Sequence, residues 1–212
     1  MKNILLTAAV WLMVIQAGAL AQGSRLANAG KAGLYVRSLD EVLRLQDDEM
    51  DLGTAALIAS EYWSDIVHGR RYLERLDAMA LEVRNRLRQQ RLQTNYRAIP
   101  VLNDYLFNEL GFKAIPHADD PNDLFLHSVM DRRQGYCLSL SVLYLSVAER
   151  IGLKVYGVVV PGHFFVRFDD GRTRFNIETT SGGASSTDEH YTQKFGVPDN
   201  GRRTIYMKNL TK

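Results

Sequence analysis

A second cysteine is missing from this chain of 212 residues. Cys137 therefore has no intramolecular disulfide partner, and is either buried and inert, bonded to another chain, or a reactive thiol. A strong excess of one charge is missing as well: a net charge of +2 implies neither nucleic acid nor an acidic substrate as partner. Beyond the N-terminal segment no apolar run approaches the ~20 residues that a spanning helix needs. Metal motifs are also lacking. His117, Asp119, Asp120, Asp123 and His127 are near one another in sequence, but there is no helical histidine pair and no thiolate cluster. Asp120-Pro121-Asn122-Asp123 reads instead as a turn and a helix cap. Nothing resembles a coenzyme A site, and no metal or organic cofactor is implied.

What is present is an ordinary folding composition, 46% hydrophobic and 9% aromatic, enough for one well-buried domain. Residues 1–21 read as an export signal: Lys2 gives the positive start, residues 4–15 are nearly all apolar, and Ala19-Leu20-Ala21 supplies a small-residue cleavage site. The mature chain would begin near Gln22 and be periplasmic or secreted. An uncleaved anchor is the other reading, but the run is short and Gln16 interrupts it, so no stable membrane span is expected after cleavage. Residues 22–39 read as a flexible arm with Gly23, Ser24, Gly30 and Gly33.

The domain proper is expected over 40–212, with a helical part over 40–112 and a chemical core over 113–212. Leu43, Leu45, Leu52, Ala55, Ala56, Ala59, Trp63 and Ile66 form an apolar stripe with Asp51 near a helix start. Helices are also predicted over 70–92 and 100–110, and a short one over 124–130. The arginines Arg84, Arg88 and Arg91 read as a solvated face.

Cys137 follows the loop Asp131-Arg132-Arg133-Gln134-Gly135 and opens a segment to Arg150 with almost no polar face. This helix should be central and enclosed. Its N-terminus leaves N–H groups free and carries partial positive charge, which favours a thiolate and can hold an oxyanion. Gly135 lets the backbone bend sharply there and a substrate approach. Burial alone offers the plainer account of Cys137.

After Gly152 the period becomes two. Strands are predicted over 153–160 and 163–168, and Asp170-Gly171 signals a two-residue hairpin. That turn sets Asp169 against Arg172, Val166 against Phe175, Phe164 against Ile177 and His163 against Glu178. One face is apolar; the other carries His163, Phe165, Asn176 and Glu178. Cys137 as nucleophile, His163 as base and then acid, and Glu178 as the carboxylate that orients the ring would make a nucleophilic site, with Asn176 as the alternative third member. The Cys137 N–H, helped by Gln134 or Tyr136, would bind the oxyanion. Residues 181–186 read either as a flap over the cleft or as an exposed loop, 188–195 as a short helix with His190 on the surface, and 204–210 as a last strand.

Three motifs, Arg133-Gln-Gly-Tyr-Cys137-Leu-Ser-Leu-Ser, Ala148-Glu-Arg-Ile-Gly-Leu153 and Gly157-Val-Val-Val-Pro-Gly-His163-Phe-Phe-Val-Arg167, resemble the transglutaminase-like superfamily in its SirB-type branch. The likeness reaches back through the helices between Asp51 and Arg88. It implies a papain-like α+β fold, with the cysteine-bearing helix packed on a small antiparallel sheet. It also implies a Cys-His-acid triad at Cys137, His163 and Glu178, although the third position in that family is usually aspartate. The function expected is cysteine-dependent acyl transfer or hydrolysis at a peptide or protein amide, cell-wall peptides included. The alternative is a non-catalytic peptide- or protein-binding module on the same fold.

Overall fold

Asp51 opens the first long helix by accepting the Thr54 N–H at 2.8 Å, satisfying one of the donors that a helix start leaves free. A computed structural model describes residues 30–31, 35–198 and 204–211. The export segment 1–21, most of the arm 22–39 and residues 199–203 lie outside the described residues. The short α1 (Leu39–Val42), capped by Ser38, precedes α2 (Leu52–Trp63) and α3 (Gly69–Gln89). Then α4 (Ala98–Asn103) runs on into a π-helical turn (Asp104–Glu109). The apolar stripe extends past the helices that it predicts: α1 stops at Val42 and α2 at Trp63, leaving Leu43 75% and Ile66 81% exposed.

A parallel pair, β1 (Lys113–Ala114) and β2 (Gln134–Gly135), brackets a 3-10 turn (Pro121–Leu124) and α5 (Leu126–Arg132). Asp120 caps the turn through the Asn122 N–H, and Asp120 and Asp123 both accept from Arg132, at 3.0 and 2.9 Å. These loop acids thus fasten the turn to α5. Next come α6 (Cys137–Ile151), the antiparallel sheet β3 (Val155–Val160), β4 (His163–Asp169) and β5 (Arg174–Ile177), a 3-10 turn (Thr179–Ser181) and α7 (Asp188–Lys194).

The α+β class expected from the sequence is the class observed. Leu140, Leu143, Tyr144 and Val147 of α6 meet Val166, Phe168 and Ile177 in the main core, and the helices before them close around it. Each such side chain contributes about 1.5–3 kcal/mol on burial. The serines of α6 are buried without penalty because each has a partner: Ser139 donates to the Asp123 carbonyl, Ser141 bonds Thr179, and Ser146 donates to the Val142 carbonyl. The other sheet face is also covered. There Val158, Val160 and Phe165 pack on Tyr191 of α7, with Phe195, Val197 and Met207 around them.

The hairpin register differs from the expected one. Asp169 pairs with Arg174, not Arg172, and Val166 pairs with Ile177. The connection is four residues long: the Asp170 N–H donates to the Thr173 carbonyl, and the Asp170 carboxylate accepts the N–H groups of Arg172 and Thr173 at 2.9 and 2.7 Å. That side-chain capping stabilises the wider loop over the two-residue turn. The offset is two residues, so every side chain keeps its face. His163 is therefore diagonal to Glu178 rather than opposite it. The stretch 204–210 is not a regular strand but lies along the β3 edge, where the N–H groups of Met207 and Leu210 donate to the carbonyls of Val159 and Gly157.

Candidate active site

Cys137 is the first residue of α6 and is 6% exposed. Arg133 supplies the bend before it, in the left-handed region at φ 53°, so the sharp turn is not at Gly135. Gly135 serves close packing instead: a Cβ there would come within 2.8 Å of Val129 and 2.9 Å of Ser139. Gln134 pairs with Lys113 in the parallel ladder and is half-buried. Tyr136 is half-buried too, and its N–H donates to Ser139 Oγ at 3.0 Å, pinning the backbone just before the thiol.

His163, at the start of β4, brings the two ends of the site together. Its Nε2 is 2.7 Å from Glu178 Oε2, and the Cys137 side chain is close enough to the ring to favour its charged form. With Nε2 committed to Glu178, Nδ1 is the nitrogen left to exchange a proton with the thiol. Burial disfavours the charged ring, but the Cys137 and Glu178 contacts outweigh it and raise the His163 pKa to about 9. Its side chain is 12% exposed and that of Glu178 11%. Burial pushes the Glu178 carboxyl up, yet its hydrogen bonds from His163 and Thr180 bring it below its ordinary value. Glu178 also caps the turn after β5, where Oε1 accepts both the Thr180 N–H (3.0 Å) and hydroxyl (2.6 Å). An imidazole held between a thiol and a fixed carboxylate can take a proton from one atom and give it to another without leaving its place.

Asn176 is on the same sheet face but is turned elsewhere. It pairs with Arg167, accepts from Arg167 Nε at 2.7 Å, and donates to the Ser186 carbonyl and to Asp188. The stretch 181–186 is strapped down rather than free: Glu178 N–H donates to the Ala184 carbonyl at 2.8 Å, and Asn103 donates to the Gly183 carbonyl at 3.0 Å. Gly183 sits at φ +81°, and any Cβ there would fall on Asn103.

Several residues around the site escape sequence reasoning. Arg167 is wholly buried; it donates to Asn176, to the Met207 carbonyl and, at 2.8 Å, to Asp188 at the start of α7. Burial presses its pKa down while Asp188 opposes the shift. This anchor lays α7 over the sheet, so that Phe195 stacks on the His163 ring at 4.7 Å and 4°. Tyr191, stacked on Phe165 at 3.8 Å, donates its hydroxyl to Glu178 Oε2 at 2.9 Å. The one available signal is the polar Arg167 within an otherwise apolar alternation. His190 is exposed, as expected. An apolar cavity of about 340 Å³ lies between α6 and the β3–β4 edge, lined by Leu52, Val142, Leu145, Gly157, Phe164 and Leu210; Cys137, His163 and Glu178 do not line it.

A model of the transglutaminase-like superfamily matches residues 70–201. A UPF0162 protein of Xylella fastidiosa is 43% identical over 74 residues, which is 33% of this chain and 26% of that protein. F-box only protein 21 of Mus musculus is 33% identical over 82 residues, 38% of this chain and 13% of that protein. The chain thus matches only 26% and 13% of the length of these curated relatives. Among solved structures, a TGase aligns with a TM-score of 0.42 at 17% identity, covering 59% of this chain and 37% of that one. Menin aligns with a TM-score of 0.46 at 15% identity, covering 68% and 36%.

Proposed function

The chain belongs to the transglutaminase-like superfamily, and on that premise we propose that it is an exported cysteine-dependent acyl transferase or amide hydrolase acting on a peptide or protein amide. The observation that carries this reading is the His163 ring held at 2.7 Å by Glu178, with Cys137 at the start of α6 near enough to favour the charged ring. Cys137 passes its proton to His163 Nδ1. The sulfur attacks the carbonyl carbon, and the developing oxyanion is met by the Cys137 N–H at the start of α6. The C–N bond breaks, His163 returns the proton to the departing nitrogen, and a thioester remains on Cys137. Water or an amine then attacks the thioester, gives its proton to His163, and the thiol is regenerated. Glu178 stays anionic throughout and holds the ring in place. Among the described residues no helix is long and apolar enough to cross a membrane.

The test is intact-mass analysis of the mature protein with glutamine-rich peptides and cell-wall peptides, with and without a fluorescent primary amine. Expected is a thioester adduct on Cys137, absent in Cys137→Ser, that resolves to an acid or to a labelled amide. No adduct with an unreactive thiol would leave the fold as a peptide-binding module.

A further inference from the structure

Glu178 Oε2 accepts two hydrogen bonds, one from His163 at 2.7 Å and one from the Tyr191 hydroxyl at 2.9 Å. Two donors on one oxygen compete for the same charge. We propose that Tyr191 is a positioning residue whose hydroxyl, by sharing Glu178 Oε2 with the imidazole, limits how tightly Glu178 holds the proton on His163. The inference rests on the Cys137–His163–Glu178 reading and deepens it.

The chemistry calls for such a limit. An imidazolium that binds its proton too firmly is a poor acid toward a leaving amine, and one that binds it too weakly cannot stay paired with a thiolate. Cys137 and Glu178 both push His163 toward the charged form. The Tyr191 dipole points its positive end at the same oxygen and opposes them. Tyr191 stays a donor because burial and the nearby carboxylate push its own ionisation upward. Glu178 does not need Tyr191 to stay in place, since Thr180 fastens its other oxygen by two bonds. Tyr191 is itself fixed: its ring is buried on Phe165, and α7 is anchored through Asp188 to Arg167. The titratable and charged groups around the imidazole are Cys137 from α6, Glu178 after β5, Arg167 on the same sheet face, and Tyr191 and Lys194 from α7, with Lys194 over the Phe195 ring.

Nitrogen-15 NMR titration of the His163 ring reads this directly, with no turnover needed. In Tyr191→Phe, which keeps the ring and its packing, the deprotonation midpoint rises by on the order of half a pH unit. With 3-fluorotyrosine incorporated at position 191, the hydroxyl is a stronger donor and the midpoint falls. A midpoint unmoved by both changes, or moved in the same direction by both, overturns the role given to Tyr191. An unreactive Cys137 in the wild-type protein would overturn the catalytic reading instead, so the two failures are distinguishable.

Discussion

His163 Nε2 and Glu178 Oε2 are 2.7 Å apart although the two residues are not cross-strand partners, since Val166 faces Ile177 and Glu178 lies just past the end of β5. The glutamate reaches diagonally, one methylene longer than an aspartate, and Thr180 fixes its far oxygen. Glu178→Gln keeps the reach and removes the charge. Amide turnover is expected to fall about 100-fold or more, and the His163 midpoint, about 9 in the wild type, is expected to fall toward its ordinary value in an NMR titration.

Asn176→Ala separates the two candidates for the third position. Its amide serves Arg167, Asp188 and the Ser186 carbonyl, so its loss should cost about 1–3 kcal/mol in urea unfolding. The pH profile of Cys137 labelling should not move. A profile shifted as far as in Glu178→Gln would return Asn176 to the site.

The parity of the site was legible in the sequence and its register was not. Alternation along β4 and β5 placed His163 and Glu178 on one face, and a shift of two residues leaves faces unchanged. The shift itself came from Asp170, whose carboxylate caps Arg172 and Thr173 and widens the loop. The apolar run of α6 announced a buried helix because serines, which can satisfy themselves on nearby carbonyls, are almost its only polar residues. Tyr191 and Phe195 could not be read locally. They reach His163 only because buried Arg167 grips Asp188, a contact spanning two elements that no periodicity encodes.

Asp188→Ala should accordingly cost about 1–3 kcal/mol in urea unfolding, because it removes the charge partner of a buried guanidinium that keeps its bonds to Asn176 and the Met207 carbonyl. Since it also frees the start of α7, the Phe195 and Tyr191 rings should lose their register on His163, visible as loss of the ring-current shifts of the imidazole protons.

Stability should carry the signature of the His163–Glu178 pair on both sides of neutrality. The folded-state pKa of His163 is raised from 6.5 to about 9, so its contribution is fully present below the lower value and is lost as pH rises through about 9. The pKa of Glu178 is lowered from 4.5, so its contribution is present above that value and is lost on further acidification. Melting temperature followed against pH should show a flatter alkaline limb in His163→Ala than in the wild type.

Gly135→Ala tests how the thiol is positioned. The added methyl meets Val129 and Ser139 at under 3 Å, which should cost about 1–3 kcal/mol. Displacing Ser139 also loosens the Tyr136 N–H, so Cys137 labelling should slow at temperatures where the variant remains folded.

The most direct measurement is the rate of Cys137 alkylation by iodoacetamide across pH in the folded protein, with His163→Ala and Glu178→Gln alongside. Catalysis through Cys137 and His163 predicts fast labelling at neutral pH that collapses in His163→Ala and weakens in Glu178→Gln. Slow labelling that neither substitution changes would contradict it and make Cys137 a structural residue.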